Sequence, residues 1–511
     1  MRSTVGLGAV LLLCVSLQCV AAEPKPDLGI KATISGASRI TTLSSQLSAN
    51  FDKIDNTNVP LTSGYSLLVN MKAALLNIGS RLASAGMTLA STISTLAANK
   101  TNDVNGAFAP VYTAIGALQT LLSSGYSAQF ITLQAQGLFI TKQFNDAFGS
   151  VAQGLTALSG ALDRLKAGLI AARDAPGNTA TAVSTANVNK YVKTVMISDV
   201  QDALSSISAS LPLVQYIIDS VQGRLATSDA FVTDVTNEAD TMLGEVDDDQ
   251  QTFADATASI ASDIGTAFNV TITPVYAAQL AAIADVQGAL SSISSYQQDL
   301  QPVLGMLDTL LDADGISALQ TDIANALGNF VTQVDESIAG TDAIATLFKS
   351  EGCGAIKATI DALVASGPYA SFCFSKFSPR SFNQFALTFY DVSECKVIEV
   401  IRLGSLQTLM QVIIDMIVFD VEDLGEAIAS CAPLSNGAAC LTLIGSYYDE
   451  LAITIDAKQS YMVDVLIQET NFSLQRLNAC VTVAKYSMVI SLAALVTDLT
   501  ECTVSGPNVG P

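Results

Sequence analysis

Along 204–246 apolar residues return in alternating steps of three and four: Leu204, Ile207, Leu211, Val214, Ile218, Val221 and Leu225, then Val232, Val235, Ala239, Met242 and Val246. Ser228 is the only polar residue on this stripe. A strand needs a two-residue period, so a sustained 3.5-residue period excludes sheet and specifies a helix with one apolar seam. A seam of that length is stable only when another helix covers it. The chain is therefore expected to be all-α, a long-helix bundle with coiled-coil-like repeats.

The stripe recurs. The segment from Asp199 to Ser208 reads DVQDALSSIS, and from Asp285 to Ser294 the chain reads DVQGALSSIS. Beyond this core Val214, Ile218, Val221 and Leu225 correspond to Leu300, Leu304, Leu307 and Leu311, while Leu211 becomes Gln297. A duplication of helical material explains both copies. Pro110-Val111-Tyr112 and Pro274-Val275-Tyr276 hint at a second, larger repeat.

Residues 1–22 read as a secretory signal peptide, with Arg2, an apolar core and small residues ending at Ala22. The best later candidate for a membrane span, 397–419, is interrupted by Glu399, Arg402 and Asp415, so no transmembrane anchor is expected. Residues 23–173 read as an N-terminal helical region. Helix is expected from Ile30 to Asp55, with a face of Ile34, Leu43, Leu47 and Phe51, and again over 71–99. Another is expected to open at Pro110, and a long one over 126–173 to break at Gly149 or Gly154. Residues 174–190 hold Pro176 and Gly177 among Ser, Thr and Asn and are expected to be a linker. Pro212 is expected to kink the following helix or restart it near Ser210.

Residues 191–350 form an acidic repeat region. From 225 to 348 there are 19 acidic residues and no Lys or Arg, so no ion pair can form within this segment. The net charge of −23 argues against nucleic acid, whose phosphates need cations, and against docking on anionic lipid. Asp312-Ala313-Asp314-Gly315 has the flavour of a calcium loop. Aligned on Gly315, however, the first and twelfth positions are Leu310 and Thr321, so an acidic turn between helices is expected. The cluster Glu245-Val246-Asp247-Asp248-Asp249 is expected at a solvated helix end or loop.

Residues 351–511 carry every cysteine outside the leader: Cys353, Cys373, Cys395, Cys431, Cys440, Cys480 and Cys502. In a secretory compartment these are disulfide candidates, and a disulfide-stapled C-terminal helical domain is expected. Cys431 and Cys440 flank a Pro/Asn/Gly loop and suit a local bridge; the other connectivities stay open, and the seventh thiol is free or used between chains. Asn99, Asn269 and Asn471 each begin an N-x-S/T glycosylation sequon. Asn99 and Asn269 are expected near helix ends.

Cys373-Phe374-Ser375, Tyr390 five residues before Cys395, the Cys431/Cys440 pair, Tyr486 after Cys480 and Leu499 before Cys502 form a sparse motif. In this motif, 373–502 resembles the cysteine-bearing helical domain of insect secreted proteins named after the tsetse EP protein. The chain departs from that pattern in having no Glu-Pro repeats and a much longer, Ala/Ser-rich N-terminal part. The resemblance implies an arthropod protein of the gut lumen or another body fluid, with no catalytic residues to carry over.

With no His in the chain, Ser-His-Asp and Cys-His catalysis and His-ligated zinc are excluded. No nucleophile elbow, P-loop or dinucleotide fingerprint is present. No enzyme activity and no cofactor are expected. The expected function is a secreted, glycosylated structural or interaction protein that binds a protein partner or itself. The alternative is an extracellular carrier of lipid or another hydrophobic ligand.

Overall fold

The computed structural model describes residues 27–55 and 58–508. The expected leader, 1–22, lies outside the described residues. The chain is all-α, and among the described residues there is no strand. Among the described residues fourteen α-helices follow one another: α1 Ala37–Asp55, α2 Ser66–Ala98, α3 Val104–Ser124, α4 Ser127–Gln134, α5 Phe139–Asp174, α6 Thr185–Tyr191, α7 Thr194–Leu290, α8 Gln301–Leu311, α9 Ala313–Val334, α10 Thr341–Leu347, α11 Cys353–Val364, α12 Ala370–Val421, α13 Leu424–Cys431 and α14 Gly437–Ser505. Contacts divide them into two discontinuous units rather than consecutive blocks. Among the described residues one comprises 27–234, 359–375 and 499–508; the other comprises 235–358 and 376–498.

In the first unit, antiparallel helices stack through apolar seams broken by small residues. Gly86 of α2 lies under the Phe51 ring of α1, and a Cβ there would come within 2.3 Å of it. Gly154 of α5 does the same for Ile207 of α7, where a Cβ would sit 2.7 Å from Cγ1. Tyr126, Phe130, Phe144 and Phe148 form an aromatic cluster where α4 meets α5. The seam expected over 204–225 is buried at Leu204, Ile207, Leu211, Val214, Ile218, Val221 and Leu225, and Ser228 on the same line is fully buried.

Several local expectations are corrected. Residues 27–36 form turns rather than helix, because Gly29 and Gly36 adopt positive φ (91° and 84°) and Gly29 N–H donates to the Asn99 carbonyl at 2.8 Å. Leu43 is only half-buried; Ser44 takes the inward position and donates to the Ala90 carbonyl. The third helix opens at Val104, not Pro110: Asp103 caps it by accepting from Gly106 N–H at 3.0 Å. The break in 126–173 falls at Gly137 (φ 148°), so α5 runs through Gly149 and Gly154. Part of the expected linker, 185–191, is the short helix α6, capped by Ser184. α7 continues through Pro212 without restarting. Tertiary packing holds these helices where local propensity would have ended them.

The two repeat copies differ in structure. The first lies inside α7. In the second, α7 ends at Leu290, and the Ser291 and Ser292 hydroxyls bond back to the Gly288 and Ala289 carbonyls (3.2 and 2.8 Å). Asp202 of the first copy is Gly288 in the second, which lowers helix propensity where the turn forms. A π-turn over Tyr296–Leu300 follows. Leu300, Leu307 and Leu311 are buried like their counterparts Val214, Val221 and Leu225, while Leu304, the equivalent of Ile218, is only half-buried.

In the second unit the C-terminal part of α7 (235–290), then α8 and α9, then α12, then α14 alternate in direction. α7 meets α9 at Phe253–Phe330 (5.7 Å) and at Gly265, whose carbonyl accepts from Gln320 (2.6 Å). α12 runs beside α7, where Ser393 donates to Asp249 (2.7 Å). α14 runs beside the π-turn and α8, where Thr442 donates to Asp299 (2.7 Å) and Gln459 to the Leu310 carbonyl (3.1 Å). Cys395–Cys480 joins α12 to α14, and Glu399 bonds Arg476. Four residues forward on one helix matches four backward on the other, which defines an antiparallel pair. The arrangement is an up-down-up-down four-helix bundle.

Candidate interaction surface

Among the described residues the cysteines form three bridges, Cys373–Cys502, Cys395–Cys480 and Cys431–Cys440, leaving Cys353 as an exposed free thiol. The first two join α12 to α14, the first of them within the first unit and the second within the second. The last closes the turn between α13 and α14.

Beside Cys395 lies a network of charges that sequence reading missed. Lys396, 1% exposed, pairs with Asp249 of α7 at 2.9 Å. Glu399, 2% exposed, accepts from Arg476 at 3.1 Å and from Arg402. Arg476 also donates to Glu469 (2.7 Å) and Ser473 (2.8 Å). Its bonds to Glu399, chiefly, hold its pKa above the ordinary guanidinium value. A carboxylate buried in this way is stable only when each oxygen is matched, so the network fixes the register of α12 on α14. Glu399, Arg402, Arg476 and Glu469 are engaged with one another.

The acid cluster at 245–249 lies within α7, not at a helix end or loop, and Asp249 is its inward member. Asp312 caps α9 by accepting from Gly315 N–H at 2.7 Å, an acidic turn as expected. Among the described residues no three His, Cys, Asp or Glu side chains converge as metal ligands. Asn99 ends α2 and is half-buried; its side chain accepts from Thr101 N–H and hydroxyl (2.9 and 2.7 Å). Asn269 and Asn471 are exposed in the interiors of α7 and α14, so Asn269 is not at a helix end.

In the first unit, Asp229 of α7 is 4% exposed and receives the loop before α2. Thr62 donates its N–H (2.6 Å) and hydroxyl (3.0 Å), and Ser63 its N–H (3.1 Å) and hydroxyl. Burial works against ionisation of this carboxyl. The donors from Ser63 and Thr62 outweigh it and hold the pKa below the usual aspartate value. This is a structural clamp, since the donors enclose the carboxylate.

Two surfaces of the second unit are chiefly apolar. One is a groove of about 540 Å³ between α7 and α9, floored by Ala258, Ala261, Gly265, Ala324 and Gly328. The other is the outward side of the α12–α14 pair. On α12, Leu387, Tyr390, Ile401, Val412, Met416 and Phe419 are 51–73% exposed. They recur at helical spacing on the side opposite the buried Leu403, Met410 and Ile414. On α14, Leu443, Tyr447, Tyr461, Phe472, Tyr486 and Ile490 are 51–73% exposed in the same pattern. On each helix the exposed row lies about a quarter-turn round from the residues that join the two helices, on the side away from the core. The two rows therefore form one apolar layer. Solvent-facing layers of this extent mark binding surfaces.

Three helical runs, Thr194–Leu290, Ala370–Cys431 and Gly437–Ser505, contain 18-residue windows apolar enough to cross a membrane by length and composition. The sequence reading passed over them because charged residues interrupt the apolar runs. Only 22%, 28% and 28% of these windows is buried. Comparison of the chain with known families, with curated proteins and with solved structures found no match.

Proposed function

We propose that the chain is a secreted, non-catalytic, glycosylated helical protein that works by binding another protein surface through the α12–α14 layer. The observation carrying this reading is the double row of exposed apolar side chains on a hairpin that two interhelical bridges hold closed. A stapled hairpin cannot turn inside out to hide such a layer, so a partner must cover it. Three disulfides suit an oxidising compartment, as do the leader sequence and the resemblance of 373–502 to the tsetse EP type of domain. The exposed positions of Asn269 and Asn471 suit glycans.

A carrier of a hydrophobic ligand is the second reading. The α7–α9 groove favours it, since its volume falls within the range of small-molecule sites and its floor is methyl groups and glycines. Native mass spectrometry of the chain secreted from an insect-cell host separates the two. Binding through the layer predicts a cleaved, glycosylated, ligand-free protein or assembly. A stoichiometric surplus of lipid mass that is lost on denaturation would instead establish the carrier.

A further inference from the structure

We propose that the occupant of the α12–α14 layer is a second copy of this chain, docked antiparallel about a two-fold axis at Ile401. The inference rests on the layer being a binding surface. Area, charge and register support it together.

With Val397, Ile398 and Leu409, which are 38–50% exposed, beside the six already named, the α12 row has nine apolar side chains; at about half exposure and roughly 200 Å² each they amount to roughly 900 Å² of covered surface. A stable dimer buries about 800 Å² per partner, so the α12 row alone suffices, and the α14 row widens it.

The α12 row is charged at its ends with opposite signs. Arg380, exposed beside the Phe377 ring, stands at one end; Asp423, exposed just after α12, stands at the other. Arg380 precedes Ile401 by 21 residues and Asp423 follows it by 22. A two-fold axis at Ile401 therefore sets Arg380 of each copy on Asp423 of the other. Leu387, 14 residues before, then meets Met416, 15 after. Arg402 lies near the axis, but its charge is answered within its own chain by Glu399.

The α14 row follows the same axis. The Glu399–Arg476 pair places Leu474 level with Ile401, and Tyr461 and Tyr486 lie 13 residues before and 12 after it. The dimer brings Tyr461 of one copy opposite Tyr486 of the other. A self-complementary surface of this kind is what two-fold symmetry requires. A bilayer suits the layer less well. Glu394 and Asp464 stand on the rows, and ionised carboxylates are costly in hydrocarbon but tolerable in a hydrated protein seam.

The test uses the full secreted chain carrying Cys353→Ser, which removes any dimer formed through that thiol. Sedimentation equilibrium is read at about 10 µM protein and over a dilution series. The proposal expects a reversible dimer that Ile401→Glu weakens by about 100-fold with unchanged helix content. Arg380→Glu and Asp423→Lys should each weaken it about tenfold. The double variant, whose reversed charges again match across the axis, should return to within about threefold of the starting affinity. A monomer throughout the series overturns the proposal. So does a dimer that Ile401→Glu leaves intact, failure of the double variant to recover, or flotation of the protein with phosphatidylcholine vesicles in place of dimerisation. If the protein is monomeric yet its outward side chains are shielded in the fluid it is secreted into, self-pairing fails and the wider reading stands. If they are unshielded there, both fail.

Discussion

Within one four-helix bundle, two hairpins solve the same packing problem with opposite surfaces. The 235–334 hairpin of α7, α8 and α9 is sealed inward by Phe253, Phe268, Phe330 and a leucine and isoleucine seam. Its outer positions are polar or acidic residues and Ala, and only Val270 and Met306 are large apolar residues left exposed. The α12–α14 hairpin is sealed inward equally well, yet it also turns rows of Ile, Leu, Val and Tyr outward. The acidic hairpin has no cation and no disulfide; the apolar one has both. Burial alone is satisfied by the inner faces. The outer apolar rows are thus surplus to folding, which is why they read as a binding layer.

Removing the staple tests this difference most severely. Cys395→Ser with Cys480→Ser opens an 85-residue loop and should lower the unfolding free energy by about 4 kcal/mol, measured by urea denaturation. The pair Cys431→Ser and Cys440→Ser, closing nine residues, should cost about 2.5 kcal/mol. Equal losses would mean that loop closure is not what the bridges contribute.

The inward and outward rows of α12 come next. Leu403→Ala removes a fully buried side chain and should destabilise by about 3 kcal/mol. Ile401→Ala, two residues away, should leave the stability of the monomer within about 0.5 kcal/mol. Comparable losses at both sites would show the outer row to be part of the core. Lys396→Met tests the ionic link between the hairpins. It leaves Asp249 without its cation, and a loss of about 2 kcal/mol is expected because that carboxylate is only partly buried.

The Asp229 clamp gives a pH-dependent contrast from the other unit. Its folded carboxyl ionises below the unfolded value of about 3.9, so its contribution is complete above that pH and is lost as pH falls through the folded value. Asp229→Asn should lower the melting temperature at pH 7, with the gap to wild type closing below about pH 4. A constant gap would mean that the charge is not what Thr62 and Ser63 recognise. The smallest effect is expected at Arg164→Ala, whose exposed pair with Asp199 (2.8 Å) should contribute under about 0.5 kcal/mol.

What was legible in the sequence was periodicity. The seam from Leu204 to Leu225 is buried where the 3.5-residue step placed it, and the Cys431–Cys440 bridge follows from its short loop. Helix ends were less legible, because a break depends on what packs there. Gly154 reads as a breaker but sits under Ile207, whereas Gly137 ends a helix through its positive φ. The repeat misled in the same way. Ten nearly identical residues continue a helix beside α5 and end one where Gly288 replaces Asp202. The outward apolar layer was hidden because Val, Ile and Leu on 397–419 look alike whether they face in or out. Only the placement of Leu403 and Ile414 inside assigns Ile401 and Met416 outside. Lys396, Glu399 and Arg476 are scattered in sequence and give no local signal of their network.

The most direct measurement is carbene footprinting of the full chain in the extracellular fluid that the proposed function assigns to it, read at Ile401, Phe419 and Tyr486 against Val270. All four side chains are more than 60% exposed in the isolated chain. The account predicts strong labelling at Val270 and protection at the other three, with protection lost on dilution into buffer. Equal labelling at all four positions would contradict the claim that the α12–α14 layer is a covered, working surface.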